Sequence, residues 1–133
     1  MFVDSSALVA MIAPEPDGQE IASILDDAID RRTSAIVVFE TVLAIMRLRR
    51  ATLAEVILLV QEFLQNAEVR IVDIDAGKYL SALQAFEVYG KGTGHPARLN
   101  MGDCFSYAMA KSAGVPLLYK GDDFSHTDLA RQA

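Results

Sequence analysis

The chain has 133 residues, 52% of them hydrophobic, with only 8 glycines and 4 prolines, a composition that excludes intrinsic disorder and predicts one globular domain over 1–133. Eighteen acids against 12 bases give a formal net charge of −6, which argues against sequence-independent nucleic-acid binding through a broadly basic surface. A single cysteine, Cys104, excludes an internal disulfide framework, two histidines do not make a zinc site, and no apolar run reaches the ~18 residues of a membrane span. Without a basic leader in "MFVDSSALVA", the expectation is a cytoplasmic protein with no membrane association.

In chain order, "FVD" predicts a buried strand ending in Asp4. "SSALVAMIA" predicts a helix capped by Ser5 or Ser6 and stopped at Pro14. "EPDGQEIASILDDAID" predicts an amphipathic helix with Ile21, Ile24, Leu25, Ala28 and Ile29 on one face. "RRTSA" is a short strand or turn, after which Ser34 caps "IVVFETVLAIMRLRR". Thr52 opens a further helix running to Gln65. "VRIVDI" is the next strand, and Asp75 is expected to cap "AGKYLSALQAFEVY". "GKGTGHPARLN" is a loop, "MGDCFSYAMAKSAG" a helix, "VPLLYKG" a last buried strand, and "DDFSHTDLARQA" a polar tail of short helix and turn. Strands alternating with longer helices imply an α/β fold with a parallel sheet.

Most acids fall on predicted helix faces, where a solvated charge needs no further role: Asp17, Glu20, Asp26, Asp27, Asp30, Glu55, Glu62 and Glu68. A few stand elsewhere. Asp4 ends the first strand, on the edge where open parallel sheets place ligands, although it also suits a cap. Glu40 interrupts the apolar run "AIVVFETVLAIM" and shares a helix face with Ala44 and Arg47. Asp103 lies in the first turn of an apolar helix, where the macrodipole favours a carboxylate. Asp122 and Asp123 follow the last buried strand, a place a turn also explains. In a parallel sheet, strand ends and the following helix starts meet on one side, so these acids converge. Converging carboxylates repel unless a hard divalent cation relieves them, and Mg²⁺ with a few carboxylates, waters and a phosphate substrate suits such a cluster.

At "VDSSALVA" (3–10), "SAIVVFET" (34–41), "LNMGDCFSYAMAK" (99–111) and "PLLYKGDDFSHTDL" (116–129), the chain resembles the PIN-domain ribonucleases, in particular the VapC toxins of type II toxin–antitoxin modules. The resemblance spans essentially the whole chain. It implies a three-layer α/β/α fold, a divalent-metal-dependent endoribonuclease, an antitoxin partner and a homodimer. The family's acids fall on Asp4, Glu40 and Asp103, with a fourth within "GDDF", at Asp123 in preference to Asp122. Ser6 matches the small hydroxyl residue near the first acid. Asp103 is then both cap and metal ligand. The cofactor implied is Mg²⁺, with Mn²⁺ as a substitute, and the reaction is hydrolysis of RNA by metal-activated water.

Candidates for RNA contact are Arg47, Arg49 and Arg50 after Glu40, and Lys91, His95 and Arg98 in the glycine-rich loop. For each, a solvated charge is the plainer account. Cys104 is expected to pack rather than react. "TLAEVILLVQEFL" is apolar on more than one face, which fits either a partner surface or a fully buried helix. A haloacid-dehalogenase-like phosphatase needs an acid where Ser6 stands. A receiver module needs paired acids at the first strand, where Asp4 is alone. The alternative that remains is a catalytically silent PIN-like module acting through its antitoxin complex.

Overall fold

Four short parallel strands form one sheet: β1 (Phe2–Val3), β2 (Arg32–Thr33), β3 (Arg70–Ile71) and β4 (Leu117–Leu118), in the order β3-β2-β1-β4. The computed structural model describes residues 1–131, so Gln132 and Ala133 of the predicted polar tail lie outside it. Phe2 pairs with Arg32 on one side and Leu117 on the other. Phe2, Val3, Leu117 and Leu118 are all buried, as strands covered on both faces require.

Among the described residues, six helices flank the sheet in a three-layer α/β/α arrangement: α1 (Ser5–Ile12), α2 (Gly18–Asp26), α3 (Ala35–Leu48), α4 (Leu53–Asn66), α5 (Lys78–Tyr89) and α6 (Met101–Ala113). α6 packs on β1 and β4, α3 packs on α1, α4 and α6, and α5 packs on α6. Because every strand runs the same way, Asp4 after β1, Ser34 after β2 and Tyr119–Lys120 after β4 leave the sheet at one edge.

Several local expectations are corrected. The N-cap of α1 is Asp4, whose carboxylate accepts from the Ser6 amide, so Ser5 and Ser6 lie inside the first turn. α2 starts at Gly18, which sits so close to α1 that a Cβ there would lie 2.4 Å from the Ala10 carbonyl oxygen. It ends at Asp26, four residues earlier than the apolar pattern suggests. The Arg31 guanidinium draws in the Asp26, Ala28 and Ala67 carbonyls and turns the chain toward β2, which leaves Ile29 fully exposed.

The "VRIVDI" strand shrinks to Arg70–Ile71, an exposed sheet edge. Asp75 accepts from the Gly77 amide at 3.0 Å in a turn before α5, and Gly77 takes the N-cap position. Ser34 and Thr52 cap α3 and α4 as expected, Thr52 in a reciprocal capping box with Glu55. On α4 only Val56, Val60 and Leu64 are buried, while Leu53 and Leu58 are more than half exposed, so the helix is not fully buried.

Residues 90–99 form the expected loop, closed by a bridge between Gly90 and Leu99. Gly92 and Gly94 adopt φ of 94° and 89°, which glycine alone takes without strain. After β4 the tail makes a 3₁₀ turn, Phe124–His126. Asp128 then fastens it to α6 by accepting from Tyr107 Oη at 2.6 Å and pairing with Lys111.

Candidate active site

Asp4, Glu40 and Asp103 line one cleft of about 390 Å³ at the carboxyl edge of the sheet, together with Ser6, Glu15, Ala44, Asn100 and Lys120. Each acid is placed by a different device. Asp4 is only 2% exposed and holds the start of α1. Its Oδ2 accepts from the Ser6 amide at 3.0 Å and from Ser6 Oγ at 2.6 Å, and its Oδ1 accepts from Ser106 Oγ at 2.7 Å. Ser6 Oγ in turn accepts from the Lys120 amide at 3.0 Å, which locks the end of β4 to the start of α1.

Asp103 is the third residue of α6 and half of a capping box. Its Oδ2 accepts from the Asn100 amide at 3.0 Å, while Asn100 Oδ1 accepts from the Asp103 amide at 2.9 Å. Burial pushes its carboxyl up to about 7; the Asn100 hydrogen bond opposes this, and the charges of Asp4, Asp123 and Glu40 add to it. Asp123, itself exposed and outside the cleft lining, thus bears electrostatically on Asp103. Asp122 does not figure in that field, and its carbonyl closes the tail turn by accepting from Ser125.

Glu40 reaches the cleft from the second turn of α3, and Ala44 one turn on leaves it open. Burial first, and then the Asp4 charge, lifts its carboxyl to about 6. Among the described residues, its Oε1 is buried with no hydrogen-bond partner. A buried acceptor without a donor is costly, by about 1–3 kcal/mol, and a cation bound in the cleft would offset that cost. An all-oxygen donor set of this kind fits a hard divalent cation. Among the described residues, no three His, Cys, Asp or Glu side chains close into a ready ligand triangle.

The cleft lining includes a base that the sequence reading did not single out for the site. Lys120 lines the cleft and pairs with Glu15 at 2.5 Å and Asp17 at 3.1 Å. Its position directly after the β4 strand was the available signal. Ser106 was missed too, because a serine inside an apolar helix carries no pattern of its own. The proposed RNA contacts Arg47, Lys91 and Arg98 are exposed and outside the cleft lining. Arg98 stands two residues before the α6 cap with a positive φ of 51°. Arg49 donates to the Ile12 carbonyl, Arg50 is exposed, and His95 packs edge-on against Tyr89 while its Nδ1 accepts from the Ala97 amide. Cys104 is buried, and burial followed by the Asp103 charge pushes its thiol up to about 11, so it packs rather than reacts.

With this geometry in place, comparison with known proteins decides the family. A family model described as the PIN domain matches residues 1–129. The chain belongs to the PIN-domain family. Within it, the chain is a member of the VapC ribonucleases. This PIN domain is 42% identical to ribonuclease VapC42 of Mycobacterium tuberculosis over 129 residues, covering 97% of this chain and 96% of that protein. It is 44% identical over 139 residues to VapC ribonuclease R02377 of Rhizobium meliloti, covering 96% and 98%. Among solved structures, M. tuberculosis VapC20, described as a sarcin-ricin loop cleaving toxin, superimposes with a TM-score of 0.71 over 93% of this chain and 92% of its own. At 19% identity that likeness bears on the PIN fold alone. No helix among the described residues is long and apolar enough to cross a membrane.

Proposed function

We propose that this PIN domain is the toxin of a type II toxin–antitoxin pair and hydrolyses RNA phosphodiester bonds as a divalent-metal-dependent endoribonuclease. The observation that carries the reading is the meeting of Asp4, Glu40 and Asp103 in one cleft, with Glu40 Oε1 buried and unpartnered. The curated relatives named as ribonucleases support the same reaction class.

Asp4, Glu40 and Asp103 would hold Mg²⁺, with Mn²⁺ as a substitute, directly or through water, and Asp123 completes the negative field. Bound there, the cation supplies the charge that polarises an attacking water and offsets the phosphate. Ser6 keeps the Asp4 carboxylate in register, and the Asn100 capping box does the same for Asp103. Lys91, Arg98 and Arg47 lie on the exposed surface, where they serve as phosphate contacts that give affinity without reading sequence. The apolar side chains left exposed on α4 at Leu53 and Leu58, and on the adjoining helix α3 at Phe39 and Leu48, are suited to the antitoxin or a second copy of the chain.

The test is cleavage of a panel of structured and single-stranded RNAs, with Mg²⁺ or Mn²⁺ and with EDTA. The description of VapC20 gives a sarcin–ricin loop RNA a place in that panel. Metal-dependent cutting that Asp4→Ala and Asp103→Ala each abolish, with folding intact, is expected. Equal traces of cutting by wild type and both variants would mark contamination and sink the assignment.

A further inference from the structure

We propose that Ser106 is a positioning residue for cation binding at Asp4. The proposal rests on the reading of the cleft as a metal site. An ionised carboxylate offers about four acceptor directions, two on each oxygen. On Asp4, Oδ2 spends both on Ser6, its amide at 3.0 Å and its hydroxyl at 2.6 Å. Oδ1 spends one on Ser106 Oγ at 2.7 Å and keeps the other. The hydroxyl of Ser106 therefore sets the direction in which the remaining acceptor of Oδ1 faces.

Two further observations mark the contact as more than local housekeeping. A serine inside a helix ordinarily bonds back to the carbonyl four residues earlier or turns to solvent. Ser106, with no exposed surface, instead reaches from α6 to the end of β1, across 102 positions of sequence. The same helix carries Asp103 one turn earlier. Ser106 thus joins the element bearing one acid directly to the carboxylate of another and fixes their separation. Groups that orient a metal ligand in this way change metal affinity without touching the metal.

The experiment is calorimetric titration of Mn²⁺ into wild type, Asp4→Ala, Ser106→Ala and Ser106→Thr, with thermal melts of each. Wild type binds and Asp4→Ala does not; Ser106→Ala binds about ten- to a hundredfold more weakly, and Ser106→Thr, which keeps the hydroxyl, recovers most of the affinity. A folded Ser106→Ala protein that binds Mn²⁺ like wild type overturns the proposal. So does a folded Ser106→Thr protein as weak as the alanine variant, because that pattern belongs to packing. If Ser106→Ala does not fold, Ser106→Cys, with a weaker donor in nearly the same volume, takes its place, and unchanged affinity there overturns the proposal equally. Absence of binding by wild type would remove the metal site and this role together, whereas normal wild-type binding with an indifferent Ser106 removes only the role.

Discussion

The carboxylate of Glu40 rests on the α-carbon of Gly102: a Cβ at that glycine would lie 2.3 Å from Oε2 and 2.4 Å from Oε1. Gly102 has no positive φ and immediately precedes Asp103 in α6, so its side chain is missing for space and not for backbone freedom. Gly102→Ala must displace Glu40 or part α3 from α6. The clash is with the far end of a flexible side chain, so little stability is expected to be lost, while most of the RNA cleavage goes with the displaced Glu40 carboxylate. Parallel melting curves and cleavage rates check this; an alanine variant with wild-type activity would show that Glu40 is not needed where it sits.

The raised carboxyls make a signed pH prediction. Asp103 at about 7 and Glu40 at about 6 keep protons in the folded protein that the unfolded chain has already released above its ordinary values of 3.8 and 4.5. Between about pH 4 and 7 the native state binds more protons, so stability falls as pH rises through that window and levels off above it. In EDTA the fall is on the order of 2 kcal/mol once solvent screening is allowed for. Saturating Mn²⁺ should recover most of it, because the cation favours the ionised forms. Melting temperatures from pH 4.5 to 8, with and without Mn²⁺, provide the check, and a metal-free protein that grows more stable over this range would contradict it.

Asp103 allows cap and charge to be separated. Asp103→Asn keeps an oxygen for the Asn100 amide and removes the buried charge, so at pH 8 in EDTA it should melt higher than wild type while losing activity. Asn100→Ala breaks the capping box from the other side and should cost about 1 kcal/mol. Opposite movements of the two melting points support the assignment; a fall in both would mean that the Asp103 charge stabilises the fold.

Lys120 gives a prediction with two signs. Its ammonium pairs with Glu15 and Asp17 on partly exposed side chains, so Lys120→Met should leave stability nearly unchanged. It leaves the cleft more negative by one charge. Mn²⁺ should then bind more tightly and RNA more weakly, the second effect shrinking as salt is raised. Calorimetry and RNA binding at two ionic strengths measure both.

Much of this arrangement was legible in the sequence, for reasons that can be named. The strands at Phe2–Val3 and Leu117–Leu118 are buried on both faces, which writes them as unbroken apolar runs. Asp4, Glu40 and Asp103 stood out because each interrupts or bounds such a run, and they do share a cleft. What stayed hidden depended on partners distant in sequence. The end of α2 is set by Arg31 gathering carbonyls from Asp26 and Ala67, and Ile29 is left in solvent although its spacing matches the apolar face. Ser106 looks like any helical serine until β1 is brought beside it. The cap of α1 was misplaced by one or two residues because three consecutive residues, Asp4, Ser5 and Ser6, can all cap, and only the backbone shows which one does.

The capping box at Asn100 and Asp103 means that the side chain at position 103 serves folding whatever its part in the proposed chemistry. A domain of this shape without catalysis would still be better folded with a capping oxygen at position 103 and with a hydroxyl-bound acid at position 4. Glu40 has no such second employment: its Oε1 is buried without a donor and its charge is resisted by Asp4. In a lineage drifting toward a purely binding role, Glu40 is the acid whose replacement would relieve the fold. Its presence, more than that of its neighbours, is what the proposed nuclease site accounts for.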